Sequence, residues 1–501
     1  MKSLRLLGAA TVAAALLSGS AAAALTADAV WSALQSRIEA QGSKIAVGSR
    51  SSAGGTLQLK DVTLTTAHGP TTSTVSLPEL DLAEGADGKV TVTAAPGATV
   101  AIHAAPEPGK KGQDRSADVT LKLSQSGLKT VVSGTTDDLT LQSSAASVGL
   151  AIGSIVADGK PVDAKGGITF TGMESTAHIT GTDPAITDAS GSVQSFKLAL
   201  DVANPEKKGS AHVEAEVADL KGTSHAVLPK GVDIQADMAK ALAAGYSLSS
   251  ALTHGPASLK VAYVSPKGPG TITGSTGTGT LTVDMSKDHL RYGAQDNDSE
   301  LTLQVPDLPL PEVKISQKSG EFQLTVPIAK SDTPQDFSLL TRIIGLSVNK
   351  EVWGLFDPTG ALPHTPATLI VDLAGQGKLG MDLLDPKLAE HPPMDPGQLQ
   401  SLKLNQLQLT ALGAELTGKG AVTFDNSGPA PRPVGDVELK LTGGNALMEK
   451  LTQMGLLPEN QAAGVRMMLG MFTEPAGDDV LKTKIEFKQD GAILANGQRI
   501  Q

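Results

Sequence analysis

Leu402 to Phe424 reads LKLNQLQLTALGAELTGKGAVTF, and its apolar residues recur at every second position with one change of phase. Leu402 and Leu404 share one parity, and Leu407 and Leu409 share the other. Side chains alternate faces along a strand, so these four stay together only if a bulge near Asn405-Gln406 inserts a residue. After a turn at Leu412-Gly413, the residues Ala414, Leu416, Gly418, Gly420, Val422 and Phe424 share a face, while Glu415, Thr417, Lys419 and Thr423 point away. This is a hairpin with one wet face. The same shifted pattern occurs in TLQLKDVTLTT, where Leu57, Leu59, Val62 and Leu64 change phase at Lys60-Asp61. Two copies hint at an internal repeat. They predict a mainly β chain, an extended curved antiparallel sheet with a few short packed helices.

The chain around this stretch alternates in the same way. Short β runs occur at Lys89 to Thr93, Val119 to Leu123, Leu139 to Gln142, Phe196 to Val202, Ser258 to Val264, Thr280 to Asp284 and Asp436 to Leu441. Glycine, proline and polar residues separate them, as in the loop expected from Pro106 to Asp118. Thr26 to Gln41 reads as a helix capped by Thr26, with Val30, Trp31, Leu34 and Ile38 on one face and Trp31 as a core anchor. Asp233 to Ala244 reads as a second helix capped by Asp233, and a domain seam is placed near residue 245. The expected division is a signal peptide over 1–24, a β-rich half over 25–245 and a β-rich half over 246–501. Within the second half, Thr333-Pro334 opens a helical stripe of Phe337, Leu340, Ile343, Ile344, Val348, Val352, Trp353, Leu355 and Phe356 that ends at Asp357-Pro358. Helices are also expected from Asn445 to Met454 and from Pro458 to Phe472. Met467, Met468, Leu469, Met471 and Phe472 make the second of these apolar almost all round. Such methionines usually fill cores, and otherwise face lipid or a partner.

Composition narrows the function. Lys2 and Arg5 precede an apolar run from Leu6 to Leu17, and Ala22-Ala23-Ala24 offers a cleavage site before Leu25, so a periplasmic chain exported by a cleavable signal is expected. No later segment reads as a transmembrane helix. There are no cysteines, which excludes disulfides and thiolate metal sites. The net charge is -11, and 3 Tyr, 8 Phe and 2 Trp give few stacking surfaces, so nucleic acid is not an expected partner.

Sought chemistry is absent from the sequence pattern. Gly375-Gln376-Gly377-Lys378-Leu379-Gly380 matches GxGxxG, but Met381-Asp382-Leu383 continues an alternating pattern, so a hairpin is expected and no cofactor. Gly268 to Gly279 reads as flexible turns, and Asp296, Asn297, Asp298 and Glu300 as an acidic turn lacking the glycine and final carboxylate of a calcium loop. The nine histidines stand singly with no local carboxylate partner that recurs, and no metal or catalytic set is expected.

The strings EVWGLFDP at Glu351 to Pro358, GGNAL at Gly443 to Leu447, MGLLP at Met454 to Pro458, MMLGMF at Met467 to Phe472 and ANGQR at Ala495 to Arg499, with the start Leu25 to Trp31, resemble the exported alphaproteobacterial family known as domain of unknown function 2125. That family implies no activity. The strand pattern of Leu402 to Phe424 more distantly resembles AsmA-type envelope proteins, which implies lipid handling on a long β groove. The expected function is therefore non-enzymatic binding or transfer of lipid or another apolar envelope component. The alternative is a structural or assembly factor acting through an envelope protein. The candidate apolar surface is Ile343, Ile344, Trp353, Phe356, Met467, Met468, Met471 and Phe472.

Overall fold

The computed structural model describes residues 25–40, 42–106, 116–204, 209–232, 234, 237–385, 388, 397–428 and 430–501. The expected signal segment, residues 107–115 of the expected loop, Asp233 and His391 lie outside the described residues.

Helix α1 (Ala27–Ala40) starts where Thr26 Oγ1 accepts the Ala29 N–H at 3.2 Å. Two short strands, β1 (Lys44–Ala46) and β2 (Ser49–Ala53), then lie end to end along β3 (Thr56–His68), which pairs on its other side with β4 (Thr71–Glu84). The far side of β4 is shared by β5 (Val90–Ala94) and β6 (Thr99–Ala104). β6 pairs with β7 (Ala117–Ser126), β5 with β8 (Lys129–Thr135), and both of those with β9 (Asp138–Ala157). Four half-strands thus bridge two long ones.

After β10 (Lys160–Pro161) come three long strands, β11 (Asp163–Thr180), β12 (Ala185–Asn204) and β13 (Gly209–Leu228). Helix α2 (Met238–Ala243) follows, capped by Asp237, whose carboxylate accepts the Lys240 N–H at 2.9 Å; the helix is shorter than expected and begins beyond Asp233. Then the bridge recurs. β13 is shared by β14 (Ser247–His254) and β15 (Ala257–Ser265), which pair with β17 (Gly279–Met285) and β16 (Gly268–Thr276), and both of these pair with β18 (His289–Gln304). The repeat exists, but as this six-strand topology rather than as the two phase-shifted stretches that hinted at it. Because β13 bonds strands on the far side of residue 245, the sheet crosses the expected seam without a break.

The remainder is a meander of β19 (Val313–Pro327), β20 (Gln335–Val348), β21 (Ala367–Leu379), β22 (Gly397–Ala411), β23 (Ala414–Asp425) and β24 (Arg432–Thr442), with helix α3 (Lys350–Phe356) between β20 and β21. Helices α4 (Gly444–Gln453) and α5 (Glu459–Phe472) form a hairpin, and β25 (Glu474–Gly477), β26 (Val480–Phe487), β27 (Ile493–Ala495) and β28 (Gln498–Arg499) close the chain, with β26 beside β24. All the pairings are antiparallel in one mainly β sheet.

Four expectations are corrected here. Residues 335–348 form strand β20, not a helix: both faces of this strand carry apolar residues, so residues from opposite faces mimic a helical spacing, while Ile343, Ile344 and Val348 favour an extended backbone. Gly268 to Thr276 is strand β16, not flexible turns, and Gly270 is needed because a Cβ there would meet the Tyr263 ring at 2.4 Å. Asp296 to Glu300 lies within β18, and the GxGxxG glycines 375 and 377 lie within the single strand β21, with no hairpin turn between them.

The phase changes are how long strands bend while keeping one apolar face. The ladder between β22 and β23 shifts register between Leu404 and Leu407, the expected bulge, and Leu412 and Gly413 turn with φ 55° and 84°. In β3 the shift is Asp61 itself, at φ 52°. Asp219 in β13 and Asp298 in β18 repeat it at φ 50° and 52°. Aspartate is among the few residues that tolerate this left-handed backbone. At all three bends the gap between two half-strands brings up a glycine whose N–H donates to the carbonyl just before the aspartate: Gly48 to Lys60 at 3.0 Å, Gly255 to Ala218 at 2.8 Å and Gly277 to Asn297 at 2.8 Å.

Two buried core clusters lie on one face, under the first two helices. Under α1, Val30 and Trp31 pack with Leu57, Leu59, Val62, Leu82, Val90, Val132 and Leu139, which confirms Trp31 as an anchor. Under α2, Ala241 and Leu242 pack with Tyr246 and Ile328, bordered by Leu248, Met285, Leu290 and Val326.

The turn between β23 and β24 carries a titratable lock. Hydrogen bonds from the Ser427 side chain and backbone N–H, then from Arg432, hold the Asp425 carboxyl at about 2. An NMR titration should therefore place Asp425 at about 2, and Arg432→Ala should move it toward the ordinary value of about 3.9. Because the folded value is the lower one, the stabilisation is complete above the unfolded value and is lost as pH falls from about 4 through about 2. A wild-type midpoint near the ordinary value would contradict this assignment.

Candidate functional site

Strand pairing assembles apolar side chains into rows that run across the sheet. Ile168, Leu198, Ala215, Leu259, Gly274 and Leu301 stand opposite one another in turn from β11 to β18, and Leu150 and Ile315 extend the row at its ends. From Leu150 in β9 to Val348 in β20 this row crosses eight strand spacings, about 38 Å. A second row runs from Tyr292 through Leu324, Leu339 and Leu373 to Leu404. Aromatic pairs sit among them, Phe170 with Phe196 at 5.2 Å and Tyr292 with Phe322 at 6.0 Å between ring centroids.

This face is not filled. Away from α1 and α2 its side chains are half-buried or open: Leu259 is 42% exposed, Leu409 43% and Phe322 37%. Scattered exposed leucines are ordinary, but a contiguous apolar face on this scale is a feature of binding surfaces.

The opposite face is polar across most strands, and there the histidines find partners. His103 meets Asp118 at 2.6 Å, His178 meets Asp138 at 2.7 Å, His212 meets Asp201 at 2.7 Å, His225 meets Asp188 at 2.7 Å and His289 meets Asp284 at 2.5 Å. No local carboxylate partner recurs in the sequence; each of these partners lies on an adjacent strand, so only the register reveals it. His178, Asp188, His225, Ser249, Asp284 and Arg291 form one row along a shallow depression of about 640 Å³. Hydrogen bonds to Asp201 and then Glu214 raise His212 above its ordinary value. Ser286 Oγ lies 3.4 Å from His289, giving a hydroxyl–imidazole–carboxylate chain, but that hydroxyl also accepts the Asp288 N–H at 3.3 Å and so serves the hairpin turn. Among the described residues no group of three or more histidines and carboxylates is arranged to hold a metal ion, and no helix is long and apolar enough to cross a membrane.

The candidate surface residues do not come together as one patch. Ile343 and Ile344 are consecutive in β20 and so point to opposite faces, Ile343 beside Leu369 in the apolar rows and Ile344 beside Thr368. Trp353 and Phe356 pack together in α3 at 4.9 Å, and the Trp353 ring stacks on His364 at 3.9 Å. His364 in turn donates to buried Asp357 at 2.8 Å. Burial pushes Asp357 up, but the Leu362 N–H, His364 and the Ala361 N–H outweigh it and hold this carboxyl below the usual range.

The methionines are not core filler. Met467 is 64% exposed, Met468 56% and Met471 52%, because α5 buries only Ala462, while α4 carries the buried Met448. Phe472 is half-buried, and its carbonyl accepts the Asn496 side chain at 3.2 Å. Asp479 caps α4, accepting the Asn445 and Ala446 N–H groups at 3.0 Å each, so residues from the GGNAL and ANGQR strings tie the helical hairpin to the sheet.

No curated protein and no solved structure matches the chain. A family model described as an uncharacterized protein conserved in bacteria, DUF2125, matches residues 176–498, from within β11 to the start of β28. That span exceeds half of the chain and carries the second six-strand bridge and most of the apolar face, so the protein belongs to the DUF2125 family.

Proposed function

We propose that the chain is a non-enzymatic protein of the cell envelope that binds lipid, or another apolar envelope component, along the apolar face of its sheet. The observation that carries this reading is the run of aliphatic rows from β9 to β22 that neither α1 nor α2 covers. Acyl chains laid on such a face leave water at about 0.8 kcal/mol per methylene. The N-terminal sequence, with its basic start, apolar run and alanine site, supports export to the periplasm. The test is native mass spectrometry of the chain purified without detergent, followed by organic extraction. Lipid retained in fixed stoichiometry is the expected result. A chain that carries none, and takes none up from mixed vesicles, overturns the reading.

The exposed methionines of α5 favour a second reading, an assembly role through a protein partner. It predicts an empty chain in a stable complex, lost when Met467, Met468 and Met471 are replaced by serine.

A further inference from the structure

We infer that one acyl chain lies across the strands in a slot on the apolar face between β9 and β14. This rests on the reading of that face as a lipid-binding surface, and specifies where and how a chain is held. Along one row the large side chains are missing: Ser143, Ser175, Gly191 and Gly222 stand opposite one another in turn, and the row ends on Leu252. The adjacent row is large and apolar, with Met173, Val193 and Leu220 in register. Together with Leu128 and Leu252 these enclose an apolar cavity of about 280 Å³ that is open to solvent.

The occupant follows from the dimensions and the lining. From Ser143 to Leu252 the slot crosses four strand spacings, about 19 Å. One leaflet of a bilayer, half of a hydrocarbon core of about 30 Å, sets the length of an acyl chain at about 15 Å. A single extended chain fits that length, with methylenes along the Met173–Val193–Leu220 wall and the glycine backbones beneath.

The two glycines differ in a way that makes the slot testable. A Cβ on Gly191 would meet the Glu174 carbonyl at 3.2 Å, whereas one on Gly222 has its nearest neighbours, Ala251 O and Leu252 Cδ1, at 3.7 Å. Gly222 therefore accepts a side chain, and a leucine there occupies the slot while suiting a strand.

The experiment titrates the purified full chain with cis-parinaric acid, which fluoresces on leaving water. It compares wild type with Gly222→Leu and with Thr223→Leu, the next residue on the polar face. Saturable binding by wild type, weakened at least about tenfold by Gly222→Leu and within about twofold of wild type for Thr223→Leu, is expected, since displacing two or more methylenes costs that much. Equal binding by wild type and Gly222→Leu overturns the slot and leaves the apolar face as the lipid surface. No saturable binding by wild type overturns both. If Gly222→Leu fails to fold by circular dichroism, Ser175→Leu, one strand from the slot's centre, is judged by the same criteria.

Discussion

Leu59→Ala should lower the free energy of unfolding by about 3 to 5 kcal/mol, the upper range for deleting a fully buried leucine and leaving a cavity. Leu59 is 0% exposed beneath α1, where its neighbours Val30, Trp31, Leu57 and Leu82 are held from both the helix and the sheet and have little room to collapse. Leu409 is the matched control. It is the same residue type on the same face of the same sheet, but 43% exposed, and Leu409→Ala should cost less than about 1 kcal/mol. Native-state amide hydrogen exchange at rising urea, read in β3 for Leu59→Ala and in β22 for Leu409→Ala, separates the two. Similar losses at both positions would show that the apolar face near Leu409 is covered after all, and would remove the basis of the proposed function.

Gly435→Ala should be nearly as damaging, at about 2 to 5 kcal/mol, for a backbone reason. Gly435 sits in β24 at φ 146°, and a Cβ there would stand 2.1 Å from the Ala421 carbonyl oxygen and 2.9 Å from the Val422 Cα of the paired strand. Neither neighbour is a flexible side-chain end, so the strand must move. A residue other than glycine in this region of φ adds strain of about 1 to 3 kcal/mol, and overpacking costs a similar amount. Amide hydrogen exchange should show lost protection across β23, β24 and β26. Gly464→Ala is the contrast: that glycine lies in α5 with nothing within 4 Å of the added carbon, and alanine there should stabilise the helix by up to about 1 kcal/mol. Native exchange in β23 and β24 after Gly435→Ala would contradict the packing described.

What the sequence reveals well is periodicity with a local cause. The bulge at Asn405-Gln406 and the bend at Asp61 are visible because an apolar face must be kept while the parity changes. Trp31 is visible because α1 buries a single stripe. Periodicity fails for β20, where apolar residues on both faces imitate a helix, and for β16, where Gly270 makes room for Tyr263 rather than for a turn. It is silent on exposure: the same methionines would read identically under the sheet or outside it. The His–Asp pairs and the slot at Gly191 and Gly222 depend on which residue of one strand stands opposite which residue of the next. Single-sequence patterns do not contain that information, since a slip of one position exchanges the faces.

The recurring bridge of four half-strands begins and ends on a long strand, and within the sheet each strand bonds only to strands close to it in the chain. Such a sheet behaves as a one-dimensional lattice, whose stability is a sum of local terms and whose opening spreads from an end or a weak link instead of all at once. Its growth is modular in the same sense. Adding or removing one bridge leaves matching long strands to rejoin, with the apolar parity restored by the aspartate bend. The number of bridges therefore acts as a ruler for the span of the apolar face, and changes of length need not disturb the surfaces on either side.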